Sequence, residues 1–219
     1  MRFPHAITIV SAVLLLSPAM AATITISNIA PTIDGADIGN LSGGFDAGGD
    51  EGHMWGNRPH QGQSFTTGSN PGGYQINSVT LRSRGSSGSG STFNVVVGSL
   101  SGGIMTQVGS TETAVTGSYV NGSYITFNFD TPLTLNASTT YGFLWGSNAA
   151  GFITDNTNND TAYTGGTGIS SGDDNMPDLN TVIDRNVDRV FHVDLVAVPE
   201  PSAALLGLLG GCLLLRRRR

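Results

Sequence analysis

Ile125-Thr126-Phe127-Asn128-Phe129 alternates large apolar with polar side chains at every step. Successive residues of a strand point to opposite faces, so this pattern places Ile125, Phe127 and Phe129 on a core and Thr126 and Asn128 away from it. The same period of two recurs at Phe93, Val95 and Val97, and at Tyr141, Phe143 and Trp145. It recurs once more at Phe191, Val193, Leu195 and Ala197, which leaves His192 and Asp194 on the opposite, solvent side.

Further strands are expected at 23–29, 63–67, 74–83, 104–108, 111–116 and 150–154. Turns are expected between them, at Ser69-Asn70-Pro71-Gly72-Gly73, at 84–91 and at Asp130-Thr131-Pro132. No window between the ends carries the 3.6-residue apolar period of a helix, and 31 glycines oppose long helices. The fold class is therefore all-β: an antiparallel β-sandwich, jelly-roll-like in the first instance, with a closed barrel as the alternative. No repeat of solenoid or propeller period is visible.

Both ends of the chain read differently from its middle. Arg2 begins a basic n-region, Ala6 to Leu16 is an apolar run, and Ala19-Met20-Ala21 is an A-x-A cleavage site, so residues 1–21 read as a secretory signal peptide. At the other end Pro199-Glu200-Pro201 forms a stiff spacer. An uncharged, leucine-rich run follows from Ala203 to Leu215, and then Arg216, Arg217, Arg218 and Arg219. Thirteen helical residues reach only about 20 Å against a hydrocarbon thickness of about 30 Å, so the run is a short transmembrane helix. Snorkelling arginines extend its reach and hold that end on the cytoplasmic side. Residues 22–197 remain as one β-sandwich ectodomain, and residues 198–219 form the tail.

Composition narrows the functions open to the ectodomain. It has no lysine, and its five arginines stand against fifteen acids for a net charge of −10, which disfavours nucleic acid. That charge suits calcium, neutral sugars or cationic polymers. The lone cysteine, Cys212, lies in the tail, so the ectodomain must hold together without a disulfide.

With its Pro199-Glu200-Pro201 motif, short apolar run and terminal Arg216 to Arg219, the chain resembles the PEP-CTERM proteins of Gram-negative bacteria. The resemblance implies export through the Sec machinery, tethering in the membrane by the tail, and cleavage by an exosortase, an integral membrane transpeptidase-like enzyme. It further implies release to the cell surface or extracellular matrix, and a link to exopolysaccharide and biofilm. Residues 63–148 also resemble the domains labelled choice-of-anchor R. The matching pieces are Gln63-Ser-Phe-Thr-Thr67, Gly73-Tyr-Gln-Ile-Asn-Ser-Val-Thr-Leu81, Ser91-Thr-Phe-Asn-Val-Val-Val97 and Leu133-Thr-Leu-Asn-Ala-Ser-Thr-Thr-Tyr-Gly-Phe-Leu144. That label carries a fold and no catalytic role.

Candidate chemistry inside the ectodomain is sparse, and a non-catalytic role is the first expectation. Gly168-Ile-Ser170-Ser-Gly172 fits G-x-S-x-G, but its flanks are loop-like where a nucleophile elbow needs a strand and a helix. His53 and His60, with Asp50 and Glu51 nearby, fit no standard zinc spacing. Asp155, Asp160, Asp173 and Asp174, with Asn156, Asn158, Asn175 and Asp178, offer hard oxygen ligands for calcium but lack the EF-hand order. Trp55, Tyr74, Tyr119, Tyr124 and Tyr163 are the aromatic rings available for sugar stacking. Two alternatives to a structural, adhesive or polysaccharide-associated role stay open. One is a carbohydrate-active enzyme with paired acids among Asp46, Asp50 and Glu51; the other is a calcium-dependent lectin-like module.

Overall fold

A computed structural model describes residues 21–41, 52–53, 59–87, 89–147, 153–157, 163–172 and 178–200. The described residues are all-β, in the chain order β1 (Thr23–Ser27), β2 (Ile38–Asn40), β3 (Gly52–His53), β4 (His60–Thr66), β5 (Tyr74–Arg82), β6 (Thr92–Ser101), β7 (Ile104–Val115), β8 (Tyr124–Leu135), β9 (Thr140–Ser147), β10 (Ile153–Thr154), β11 (Asn156–Thr157), β12 (Gly168–Ser171), β13 (Val182–Asp184), β14 (Asp188–Arg189) and β15 (Phe191–Ala197). Two antiparallel sheets dominate: one of order β1-β8-β5-β15-β2, the other of order β13-β12-β4-β9-β6-β7. Two short pairs, β10 with β3 and β11 with β14, are also formed.

The sheets stack as a β-sandwich because their alternating apolar sets meet. Val79, Leu81, Ile125, Phe127, Phe191 and Val193 of the first sheet face Phe65, Phe93, Val95, Val97, Phe143 and Trp145 of the second, all fully buried in one cluster. Trp145 sits at its centre and meets Phe93 edge-on at 5.4 Å between centroids and Phe127 at 5.9 Å. Such T-shaped contacts add to the area that the rings remove from water. A smaller apolar cluster of Val96, Met105, Leu144, Ile169 and Val182 lies on the opposite face of the six-stranded sheet.

One turn expectation gives way to a strand, and two further stretches pair differently from the expectation. Asp130-Thr131-Pro132 stays inside β8, because the ladder shifts register there: Leu133 pairs Ile76, Asn128 pairs Ser78, and Asn77 alone faces the residues between. Proline's missing N–H costs nothing where the ladder is already open, and Glu112 accepts from Asp130 N at 3.0 Å. The two strands expected at 104–108 and 111–116 form the single strand β7, with a second bulge opposite Val96. Gly168 to Ser171, where no strand is expected from the sequence, is the strand β12.

His192 corrects another expectation. It does lie on the face away from the core, yet it is only 5% exposed, because the segment before β2 folds over it. Asp37 Oδ2 meets His192 Nε2 at 3.0 Å, while Asp37 Oδ1 accepts from Leu195 N at 2.9 Å, at the bulge between Asp194 and Leu195.

Candidate functional site

The unusual chemistry of the domain is a polar seam inside the sandwich. In β4, Gln61, Gln63 and Phe65 share the inner face; a core-facing strand normally continues in apolar residues, but here two amides take their place. Opposite them, Asp188 and Arg189 of β14 are respectively 0% and 1% exposed. Arginine so buried is tolerable only when its donors are satisfied, since removing the charge from water is costly.

Each strand supplies what the other needs. Gln63 Nε2 donates to Asp188 Oδ1 at 3.0 Å, and Gln63 Oε1 accepts from Arg189 N at 2.9 Å. Arg189 Nη2 donates to Gln61 Oε1, Nε to Gly62 O at 3.3 Å, and Nη1 to Thr154 Oγ1 at 3.4 Å. The second Asp188 oxygen accepts from Tyr163 N at 2.7 Å. These bonds tie β14, which pairs with β11 and lies shortly before β15 in the chain, to β4 of the six-stranded sheet, which is the kind of task a disulfide often performs.

The segment 153–157 extends the seam toward β5. Asp155 N donates to Arg82 O at 2.9 Å and Val190 N to Asp155 O at 2.9 Å. Arg82 Nη1 meets Asp155 Oδ2 at 2.8 Å, with the carboxylate side chain 2% exposed, and the guanidinium lies 5.8 Å from the Tyr124 ring centroid. Two arginines and two aspartates thus balance within the protein. Asp155, Asp188 and Arg189 are each exposed by 1% or less, and their bonds reach both β4 and β5.

The sequence-derived candidates fall in scattered places. Asp155 belongs to this buried ion pair, with its carboxylate turned toward Arg82. Asp160, Asp173 and Asp174 lie outside the described residues, as do Asn158, Asn175, Trp55, Asp46, Asp50, Glu51, Ala19, Pro201 and Arg216 to Arg219. Ala21, Pro199 and Glu200 are exposed at the two ends of the strand-bearing region. Asp178 holds Asn180 N at 2.9 Å in a local turn, and that bond lowers its pKa. Among the described residues no three His, Cys, Asp or Glu side chains gather as a metal site.

Ser170 of the G-x-S-x-G match is fully buried, and its Oγ accepts from Arg185 Nε at 2.5 Å. Of the rings considered for sugar, Tyr74 and Tyr119 are core residues, and burial pushes the Tyr119 hydroxyl up to about 12. Tyr163 meets Phe191 edge-on at 5.2 Å, and Tyr124 carries Arg82.

His60 stands apart. It is 3% exposed, and neither ring nitrogen has a hydrogen-bond partner among the described residues. The Nε2 end of the ring lies against Gly146, its cross-strand neighbour, where a Cβ would stand 2.0 Å from Nε2. Burial alone lowers its pKa from 6.5 to about 4, so the imidazole is neutral.

The seam left a trace in the sequence that strand reading passed over. Gln61-x-Gln63-x-Phe65 is an alternating set with amides in apolar positions, and Asp188-Arg189 stands one residue before the strand that begins at Phe191. A polar residue in phase with a core face is the mark of a buried network. No protein family, curated protein or solved structure matches the chain.

Proposed function

We propose that this chain is an exported, non-catalytic β-sandwich, sorted through the envelope by its tail and delivered by an exosortase to the cell surface or extracellular matrix of a Gram-negative-type bacterium. There it serves a structural, adhesive or polysaccharide-associated role. The observation that carries this reading is where pairing stops. Among the described residues every strand lies between Thr23 and Ala197, that is, between the Ala19-Met20-Ala21 site and the Pro199-Glu200-Pro201 motif. Cuts at both ends would leave each ladder whole.

Two further features support it. Within the two sheets the stretches β2-β15-β5-β8 and β4-β9-β6-β7 support reading the sandwich as jelly-roll-like, a scaffold used by capsid and lectin domains. The polar seam gives a cysteine-free domain internal cross-links that neither oxidant nor reductant alters. Comparing the intact chain with one lacking Pro199 to Arg219, in a bacterium that processes such tails, tests the reading. The intact chain should reach the exterior shortened at both ends, and the truncated chain should stay in the periplasm; equal delivery of both would refute it.

A further inference from the structure

The chain leaves the sandwich through a clamp. Asn70-Pro71-Gly72-Gly73 places asparagine first, proline second and glycine fourth in a β-turn, the residues that such a turn prefers, and Gly73 N donates to Asn70 O at 2.8 Å. Gly73 has φ +77°, which only glycine adopts without strain. Asn70 Nδ2 then donates to Gly73 O at 2.6 Å and to Val198 O at 2.9 Å, while Val198 N donates to Gly73 O at 3.0 Å. Both main-chain polar groups of Val198 are thereby held by one turn. The approach is so close that a Cβ on Gly72 would stand 2.3 Å from the Val198 carbonyl oxygen. The next two residues, Pro199 and Glu200, are exposed.

We propose that the Asn70–Gly73 turn is a stop that sets where the tail is cut: it keeps Val198 in the fold, so the bonds open to a processing peptidase or transpeptidase begin beyond that residue. This rests on the sorting role proposed above. Enzymes that cut extended chains engage the substrate's main-chain N–H and C=O groups, and those of Val198 are already occupied. From Val198 to the apolar run at Ala203 only Pro199 to Ser202 intervene, roughly 13 Å of extended chain. The sandwich on one side and the membrane on the other would confine the cut to that interval. In the cut itself one C–N amide bond breaks. The carbonyl carbon gains the oxygen of water or the nitrogen of an amine acceptor, whose proton passes to the departing amine.

The test is the mature C-terminus, read by mass spectrometry on protein from cells that process the intact chain. Wild type should give a terminus beyond Val198. Asn70→Asp removes both donors at nearly constant shape, and Gly72→Ala pushes on the Val198 carbonyl while leaving the turn's own bond. Either should raise the share of chains ending at or before Val198 by about tenfold or more, the effect of losing two ordinary hydrogen bonds. Hydrogen exchange at Val198 N in the full chain should accelerate by a similar factor. A wild-type terminus at or before Val198, or an unchanged terminus in both variants, overturns the stop. Delivery of the chain lacking Pro199 to Arg219 would instead overturn the sorting role, and the exchange rate at Val198 would still report on the clamp.

Discussion

Acid should loosen this domain through His60 before its carboxylates lose their charge. In the folded chain burial lowers the His60 pKa to about 4, and no hydrogen-bond partner among the described residues offsets the burial of the charge. An exposed histidine takes one near 6.5, so between these values the unfolded chain binds more protons than the folded one. Stability is then full above about pH 6.5 and drains away as pH falls toward 4. The interval of about 2.5 pKa units sets a limit of about 3.4 kcal/mol. From the same two values the loss is about 1.4 kcal/mol at pH 5.5 and about 2.6 kcal/mol at pH 4.5.

The assay is urea denaturation of the wild type and His60→Leu at pH 7.5, 6.5, 5.5 and 4.5. Leucine is close to imidazole in volume and cannot titrate, and carboxylates remote from this site titrate alike in both proteins and cancel in the difference. The variant should gain on the wild type by about 1.4 kcal/mol between pH 7.5 and 5.5. For a domain of this size that amounts to about 3 to 6 °C in the thermal midpoint. Parallel curves from pH 7.5 to 4.5 would refute the reasoning, as would an imidazole NMR titration of His60 centred near 6.5 in the folded protein.

Three further outcomes follow from the packing. Gly146→Ala should cost about 1 to 3 kcal/mol through the clash with His60, and much less in a His60→Ala background, a coupling that a double-mutant cycle reads directly. Arg189→Ala should cost about 3 to 5 kcal/mol in urea, because it leaves Asp188 and the facing glutamines without their charged partner; loss of under about 1 kcal/mol would show the seam to be dispensable. Trp145→Ala should cost about 3 to 5 kcal/mol, with Trp145→Phe markedly milder because the ring contacts to Phe93 and Phe127 are partly kept.

Much of the architecture was legible because period-two alternation is a local property. Ile125-Phe127-Phe129 and Phe191-Val193-Leu195 declare their buried face whatever they pair with, and both lie in the core. The expectations that failed did so where a partner strand decides. Asp130-Thr131-Pro132 has the composition of a turn and becomes strand only because a bulge beside Asn77 spares proline a ladder bond. Gly168 to Ser171 has almost no apolar content and becomes strand because β4 and β13 lie on either side of it. The polar seam was only half visible: Gln61 and Gln63 are in phase with Phe65, but nothing local joins them to Asp188 and Arg189, more than 120 residues away. The Asn70–Gly73 turn was readable as a turn and unreadable as the clamp on Val198, 128 residues further on.

From the amino-acid order alone come the strand faces, the turn at Asn70, the acidic cysteine-free middle and the distinctive ends, since each depends on neighbours within a few positions. The burial of His192 and His60, the cross-links of Arg189 and the grip on Val198 belong to the tertiary structure. Burial and long-range hydrogen bonds are set by which strands the fold brings side by side, and that is a property of the packed sheets rather than of any stretch of chain.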